Sequence, residues 1–168
     1  MDDEYLDLVD AQDRVIGRKL RSAVYAEGAY NFRVVNAFVR NSAGYLWIPR
    51  RTAHKRLYPL CLDMSVGGHV ASGETYDEAF ARETREELRI DTAVSTWRLL
   101  GCLTPHEHGV SAFMRVYEIA RDDPPDYNPD DFTEYFWLLP GGLLERIARG
   151  DKAKSDLPKL TAIFYPSA

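Results

Sequence analysis

Cysteine is nearly absent from this chain. Cys61 and Cys102 are the only two among 168 residues, without CxxC spacing, which excludes a disulfide framework and a thiolate zinc site. Both read as buried, inert thiols. Long hydrophobic runs are also missing: the stretch Val34 to Val39 falls far short of the ~18 residues that span a bilayer. The acidic start Met1-Asp2-Asp3-Glu4 is the opposite of a basic secretory leader, so a cytoplasmic chain with no membrane partner is expected. Positive charge is in deficit, 21 Lys and Arg against 26 Asp and Glu, which argues against a general nucleic-acid binder. Any anionic ligand must be held by a local cluster or by metal ions.

What remains, 45% hydrophobic and 28% charged residues, suits one α/β or α+β domain over residues 1–168. Alternating apolar and polar residues predict a hairpin from Tyr5 to Val9 and Arg14 to Gly17, an N-terminal addition of about residues 1–20. A second hairpin, Arg33 to Arg40 and Tyr45 to Ile48, turns through Asn41-Ser42-Ala43-Gly44 and ends at Pro49 or runs along an edge there. Leu60 to Val66 reads as a strand closed by Gly67-Gly68. Further strands are expected at Thr96 to Leu103, Phe113 to Ile119 and Glu134 to Leu139, and a polar loop holds His106, Glu107 and His108. Helical spacing marks Leu143 to Arg149 and Leu157 to Phe164, the latter capped by Ser155.

The clearest helix starts near Tyr76, where Thr75 and Glu78 fit a capping box, and runs to about Leu88. Tyr76, Phe80, Thr84 and Leu88 form its packing stripe, with Glu83 and Glu87 at the border, Glu86 a little further round, and Glu78, Arg82 and Arg85 toward solvent. Carboxylates at i, i+3 and i+4 repel unless a cation lies between them. Hard Mg²⁺ or Mn²⁺ suits such oxygens.

Gly68, Glu74 after five residues, and Arg82-Glu83-Thr84-Arg85-Glu86-Glu87-Leu88-Arg89-Ile90 after seven more resemble the Nudix box, with six of its seven fixed positions kept. Thr84 replaces a bulky aliphatic residue and Arg89 a helix-ending glycine. The resemblance implies an α/β/α sandwich with a mixed sheet and metal-dependent attack of water on a diphosphate. It casts Glu83, Glu86 and Glu87 as metal and base carboxylates and the Gly67 carbonyl as a further metal ligand. Arg82 and Glu74 become a supporting pair, and Gly68 a structural glycine of the box.

Upstream, Arg50-Arg51, Lys55, Pro59 and Ser65-Val66-Gly67-Gly68-His69 resemble the isopentenyl-diphosphate isomerase branch of the superfamily, in which Arg51 and Lys55 match diphosphate-binding positions. That branch needs a cysteine where this chain has Gly67, and histidines near the N-terminus where Tyr25 and Phe32 stand. It also needs downstream glutamates, which Ser111 to Tyr117 lacks. The expectation is therefore an isomerase-like frame with hydrolase chemistry on a nucleoside di- or triphosphate or related nucleoside diphosphate derivative. The isomerase and a non-catalytic nucleotide-binding module are the alternatives, and a homodimer is allowed. His69, Glu107 and Glu134 are further candidates near the metals, and Tyr30, Phe32, Tyr58 and Tyr127 are candidates to stack on a base.

Overall fold

The computed structural model describes residues 3–166; Met1 and Asp2, the first half of the acidic start, lie outside the described residues. Strands β1 (Tyr5–Val9) and β2 (Val15–Leu20) form the expected N-terminal hairpin, followed by a short helix α1 (Arg21–Ala26) that the sequence reading did not anticipate. Alternation is weak there and α1 has no side-chain cap, so no local signal marks it. The hairpin is tied down through Asp13, which accepts from Arg33 Nε at 2.7 Å and Tyr76 Oη at 2.7 Å, and through Asp7, which accepts from Ser72 Oγ and the Gly73 N–H.

The main sheet holds β3 (Arg33–Arg40), β4 (Leu46–Arg51), β5 (Val66–His69), β6 (Thr96–Leu103), β7 (Phe113–Ala120) and β8 (Phe132–Leu138), in the order β6-β7-β3-β4-β8 with β5 also on β3. Among the described residues only the strand pair β3 and β7 runs parallel, so the sheet is mixed. The apolar run of β3 sits at its centre, buried on both faces as such a run demands. One face carries α2 (Tyr76–Leu88) over Val35, Val39, Trp47 and Tyr117, where Phe80 stacks on Tyr117 at 4.0 Å. The other carries α4 (Pro140–Ala148) and α5 (Asp156–Phe164) over Phe38, Leu46, Ile48 and Met114. This is the α/β/α sandwich expected. Full burial of Phe80 and Leu88 contributes roughly 1.5–3 kcal/mol each.

Several elements depart from expectation. The strand after the β3–β4 hairpin begins at Val66 and runs through Gly67-Gly68 instead of ending there, because both glycines pair with β3. Residues 60–65 contribute only bridges from Leu62 to Arg50 and Ala153. Pro49 lies inside β4, where its carbonyl accepts from Asp63 N–H at 2.9 Å and its missing donor goes unused. The polar loop of His106 to His108 closes into a single turn, α3 (Pro105–His108), capped by Thr104. Ser155 gives no side-chain cap to α5; its hydroxyl lies 3.1 Å from Tyr58 Oη. Cys61 is buried, but Cys102 is exposed, since β6 lies at the edge of the sheet. No helix of the described residues is long and apolar enough to cross a membrane.

Candidate active site

The site is built where β5 passes beneath α2. The capping box forms as predicted, Glu78 N–H to Thr75 Oγ1 and Thr75 N–H to Glu78 Oε1, both 3.1 Å, and fixes where the helix starts. Gly68 then lets Glu83 lie against the strand: a Cβ at 68 would stand 2.2 Å from Glu83 Cδ. Gly67 takes a non-hydrogen-bonded position opposite Asn36, so its N–H and carbonyl turn away from β3. The N–H donates to Glu87 Oε2 at 3.2 Å, which leaves the carbonyl on the same edge as that carboxylate.

Arg82 does not point into solvent as its place on the helical wheel implies. Its side chain folds back over β5, donating through Nε and Nη2 to both oxygens of Glu74 at 2.8 and 2.9 Å. It also donates to the His69 carbonyl at 3.0 Å and to Glu83 Oε1 at 2.7 Å, and Glu86 Oε2 stands 3.5 Å away. Glu74 is further held by the Ala71 N–H. Such a forked, charge-assisted set fixes a carboxylate's direction far better than a single pair. Arg82 is thus a positioning residue for Glu83, and its own bond to Glu74 holds the Glu74 carboxyl below the usual range.

Burial pushes the Glu83 carboxyl up to about 7, against the opposing pull of Arg82. Glu87 is driven well above the ordinary carboxylate range, first by burial and then by the negative charges of Glu83, Asp63 and Asp131. Two adjacent, half-buried carboxyls that resist ionisation form a donor set that a cation would suit. Among the described residues no three His, Cys, Asp or Glu side chains gather tightly enough to hold a metal by themselves. A divalent cation fits the arrangement nonetheless, because a hard ion can take one or two carboxylates and complete its shell from waters and phosphates. Glu83, Glu87 and the Gly67 backbone lie together there, and Glu86 stands exposed at the same cleft.

These residues line an open cleft of about 1020 Å³. Arg51 and Lys55 also line it. Arg51 donates to Asp63 Oδ2 at 2.8 Å and the Leu57 carbonyl at 3.0 Å, and Lys55 to Asp131 Oδ1 at 2.7 Å. Tyr25, Tyr30, Phe32 and Tyr58 line it as well, whereas Tyr127 packs against Trp47 in the core. His69 lies in the cleft with Nε2 2.7 Å from Tyr25 Oη; burial and the charges of Arg21, Lys154 and Arg82 bring its pKa down to about 4, so it is neutral. Glu107 and Glu134 lie outside the cleft lining. Glu107 is exposed on α3, and Glu134 pairs at 2.5 Å with Arg50, whose guanidinium is turned toward Asp151. The sequence reading did not single out Asp63, Asp131 or Lys154, which reach the cleft from segments remote from the box and carry no local motif.

The family model described as the NUDIX domain matches residues 31–157. A protein of Nostoc sp. (strain PCC 7120), named an uncharacterized Nudix hydrolase, is 59% identical over 162 residues, 96% of each chain. A crystal structure of a Deinococcus radiodurans protein, 49% identical, superposes with a TM-score of 0.92 over 96% of this chain and 99% of that one. An isopentenyl-diphosphate Delta-isomerase of Kocuria rhizophila is 27% identical over 149 residues, 83% of this chain and 80% of its own. The chain belongs to the Nudix family and is a Nudix hydrolase, of the class that cleaves diphosphate linkages.

Proposed function

We propose that this enzyme hydrolyses the diphosphate linkage of a nucleoside di- or triphosphate, or of a related nucleoside diphosphate derivative, by attack of water with Mg²⁺ or Mn²⁺ bound. The observation that carries the reading is the pair of half-buried carboxyls, Glu83 and Glu87, held against Gly68 and the Gly67 N–H at a cleft that also presents Arg51 and Lys55. Divalent cations there would offset the diphosphate's charge and lower the pKa of the attacking water. Glu83, Glu87 and the Gly67 carbonyl would hold them.

The chain's own work is positioning. Arg82, clamped by Glu74, keeps Glu83 in place. Glu86, its side chain 58% exposed, is the box carboxylate with open access to water and takes the proton as the new oxygen–phosphorus bond forms. The bridging oxygen leaves with its electron pair on the departing phosphate. Arg51 and Lys55 bear on the phosphates, and the tyrosines and Phe32 accept the organic group.

The test is release of phosphate and nucleoside monophosphate from nucleoside di- and triphosphates, sugar nucleotides and dinucleotides, in Mg²⁺ and Mn²⁺, with isopentenyl diphosphate included. Turnover abolished by EDTA, and lowered about 10²-fold or more by Glu86→Gln and Glu87→Gln, is expected. Since burial already disfavours charge on Glu87, its Gln variant should melt at or above the wild-type temperature. Near-wild-type rates in both variants would sink the assignment.

A further inference from the structure

Lys154 reaches the cleft from the far end of the chain. Its segment, between α4 and α5, is pinned to the loop before β5: Leu62 N–H donates to the Lys152 carbonyl at 2.8 Å and Lys154 N–H to the Leu62 carbonyl at 2.9 Å. The Lys154 carbonyl in turn accepts the Leu157 N–H at 3.0 Å at the start of α5. From this fixed backbone the side chain, 24% exposed, extends to β5, where Nζ stands 3.8 Å from the place a Cβ would take on Gly67. Gly67 is the residue whose N–H holds Glu87, and Lys154 lines the same cleft as the box carboxylates.

The donors of this ammonium are largely unspent. Among the described residues its ion-pair partner is Asp63, with Oδ1 at 3.5 Å, long for a hydrogen bond between charged groups. Asp63 is itself deeply buried, its side chain 4% exposed. It accepts from Arg51 Nη1 through Oδ2 at 2.8 Å, while Oδ1 has no hydrogen-bond partner. One buried carboxylate therefore faces two cations, and the one beside Gly67 keeps N–H groups for another anion. Lys55 contrasts with it, held at 2.7 Å by Asp131.

We propose that Lys154, oriented by Asp63, is a substrate-binding residue that contacts a phosphate oxygen at the Gly67 end of the cleft, while Arg51 reaches the diphosphate from the other side of the same carboxylate. Asp63 acts as a positioning residue through both. The assignment rests on the reading of this cleft as a diphosphate site.

Inorganic pyrophosphate serves as the probe, titrated calorimetrically in Mg²⁺ into the full chain, in parallel with KM and kcat for whichever nucleotide the panel identifies. Lys154→Met should weaken pyrophosphate binding about tenfold and raise KM by a similar factor, as expected for the loss of one charge-assisted hydrogen bond. Lys154→Arg should retain most of the affinity; a purely structural role for the aliphatic stem would instead leave the Arg and Met variants alike. Should Lys154→Met not fold, Lys154→Gln carries the same expectation. Asp63→Asn should weaken binding, and in the Lys154→Met background its effect should shrink to the part that acts through Arg51. Wild-type affinity in Lys154→Met, or a wild-type protein that binds no pyrophosphate, overturns the proposal. A wild type that binds pyrophosphate through Lys154 but turns over no nucleotide would instead refute the nucleotide reading alone.

Discussion

An alanine at position 68 would place its Cβ 2.2 Å from Glu83 Cδ, 2.3 Å from Oε1 and 2.6 Å from Cγ, far inside van der Waals contact. Gly68 is not among the glycines with positive φ, so the backbone tolerates the substitution and the whole cost falls on Glu83. All three atoms belong to the outer part of a flexible side chain, which escapes by rotating away. That forfeits the 2.7 Å bond from Arg82, a charge-assisted contact of about 1.5–3 kcal/mol, but releases a half-buried carboxyl that resists ionisation. The net stability loss should be about 1 kcal/mol, or roughly 2–4 °C in Tm for a chain of this size. Catalysis should suffer far more, because displacing a reacting group by about 1 Å costs on the order of 10²-fold. Gly17→Ala is the control: a Cβ there meets nothing within 4 Å, and both Tm and rate should stay at wild type. The assay is kcat on the identified substrate beside a thermal melt. A Gly68→Ala enzyme within about threefold of the wild-type rate would refute the argument that glycine is there to admit Glu83.

Two other predictions concern the helix and its charges. Arg89 ends α2 in the left-handed region at φ 54°, so Arg89→Gly should stabilise the fold by about 1 kcal/mol. The surface pair with Asp126 that is lost has side chains 51% and 83% exposed and offsets little; a urea midpoint that does not rise would contradict this. Glu83 titrates near 7 in the fold against 4.5 for a free side chain, so the folded state binds more protons than the unfolded one between those values. Stability in EDTA should therefore fall as pH rises from about 4.5 to 7, and Glu87, raised in the same sense, adds to the fall. Denaturant melts at pH 5 and pH 8 measure the slope, and Glu83→Gln should remove much of it. A stability that rises across that window would show the carboxyl to be ionised in the fold.

What was legible in the sequence was what local chemistry dictates. The capping box of Thr75 and Glu78 and the buried stripe of α2 each depend on residues within a few positions of one another, and each is found; the left-handed end at Arg89 was implied only by the resemblance, which places a glycine there. The strand boundary at Gly67-Gly68 was missed because a glycine pair ordinarily signals a turn. Here the pair serves the close approach of Asn36 and Glu83 from two other elements, a tertiary demand with no local trace. Arg82 was misplaced on the wheel for a related reason. Periodicity gives the direction of a Cα–Cβ bond, whereas a long guanidinium side chain goes where its partners Glu74 and the His69 carbonyl lie. Lys154 and Asp63 meet through the bridge between Leu62 and Ala153, residues far apart in the chain.

The isomerase-like frame raises the question of why the same scaffold should favour hydrolysis. Tyr25, Phe32 and His69 do converge: Tyr25 Oη lies 2.7 Å from His69 Nε2, and the Phe32 ring centroid 5.9 Å from the imidazole. They form an aromatic and hydrogen-bonded cluster, in which two of the three members offer no imidazole or carboxylate. From the strand opposite, Met114 and Val116 are buried in the core beneath α4 and α5. Position 67 is equally committed, since any Cβ there would meet Asn36 Oδ1 at 2.9 Å, and a thiol would have to displace Asn36 before it faced a substrate. Proton transfer to and from carbon needs a positioned acid and base, and His69, with its pKa brought down to about 4, is neutral and occupied with Tyr25. The box carboxylates Glu83, Glu86 and Glu87 are all present beside the cleft. The cleft therefore presents the carboxylates that water attack on a diphosphate requires, while positions 25, 32 and 67 present no imidazole or thiol for proton transfer to carbon.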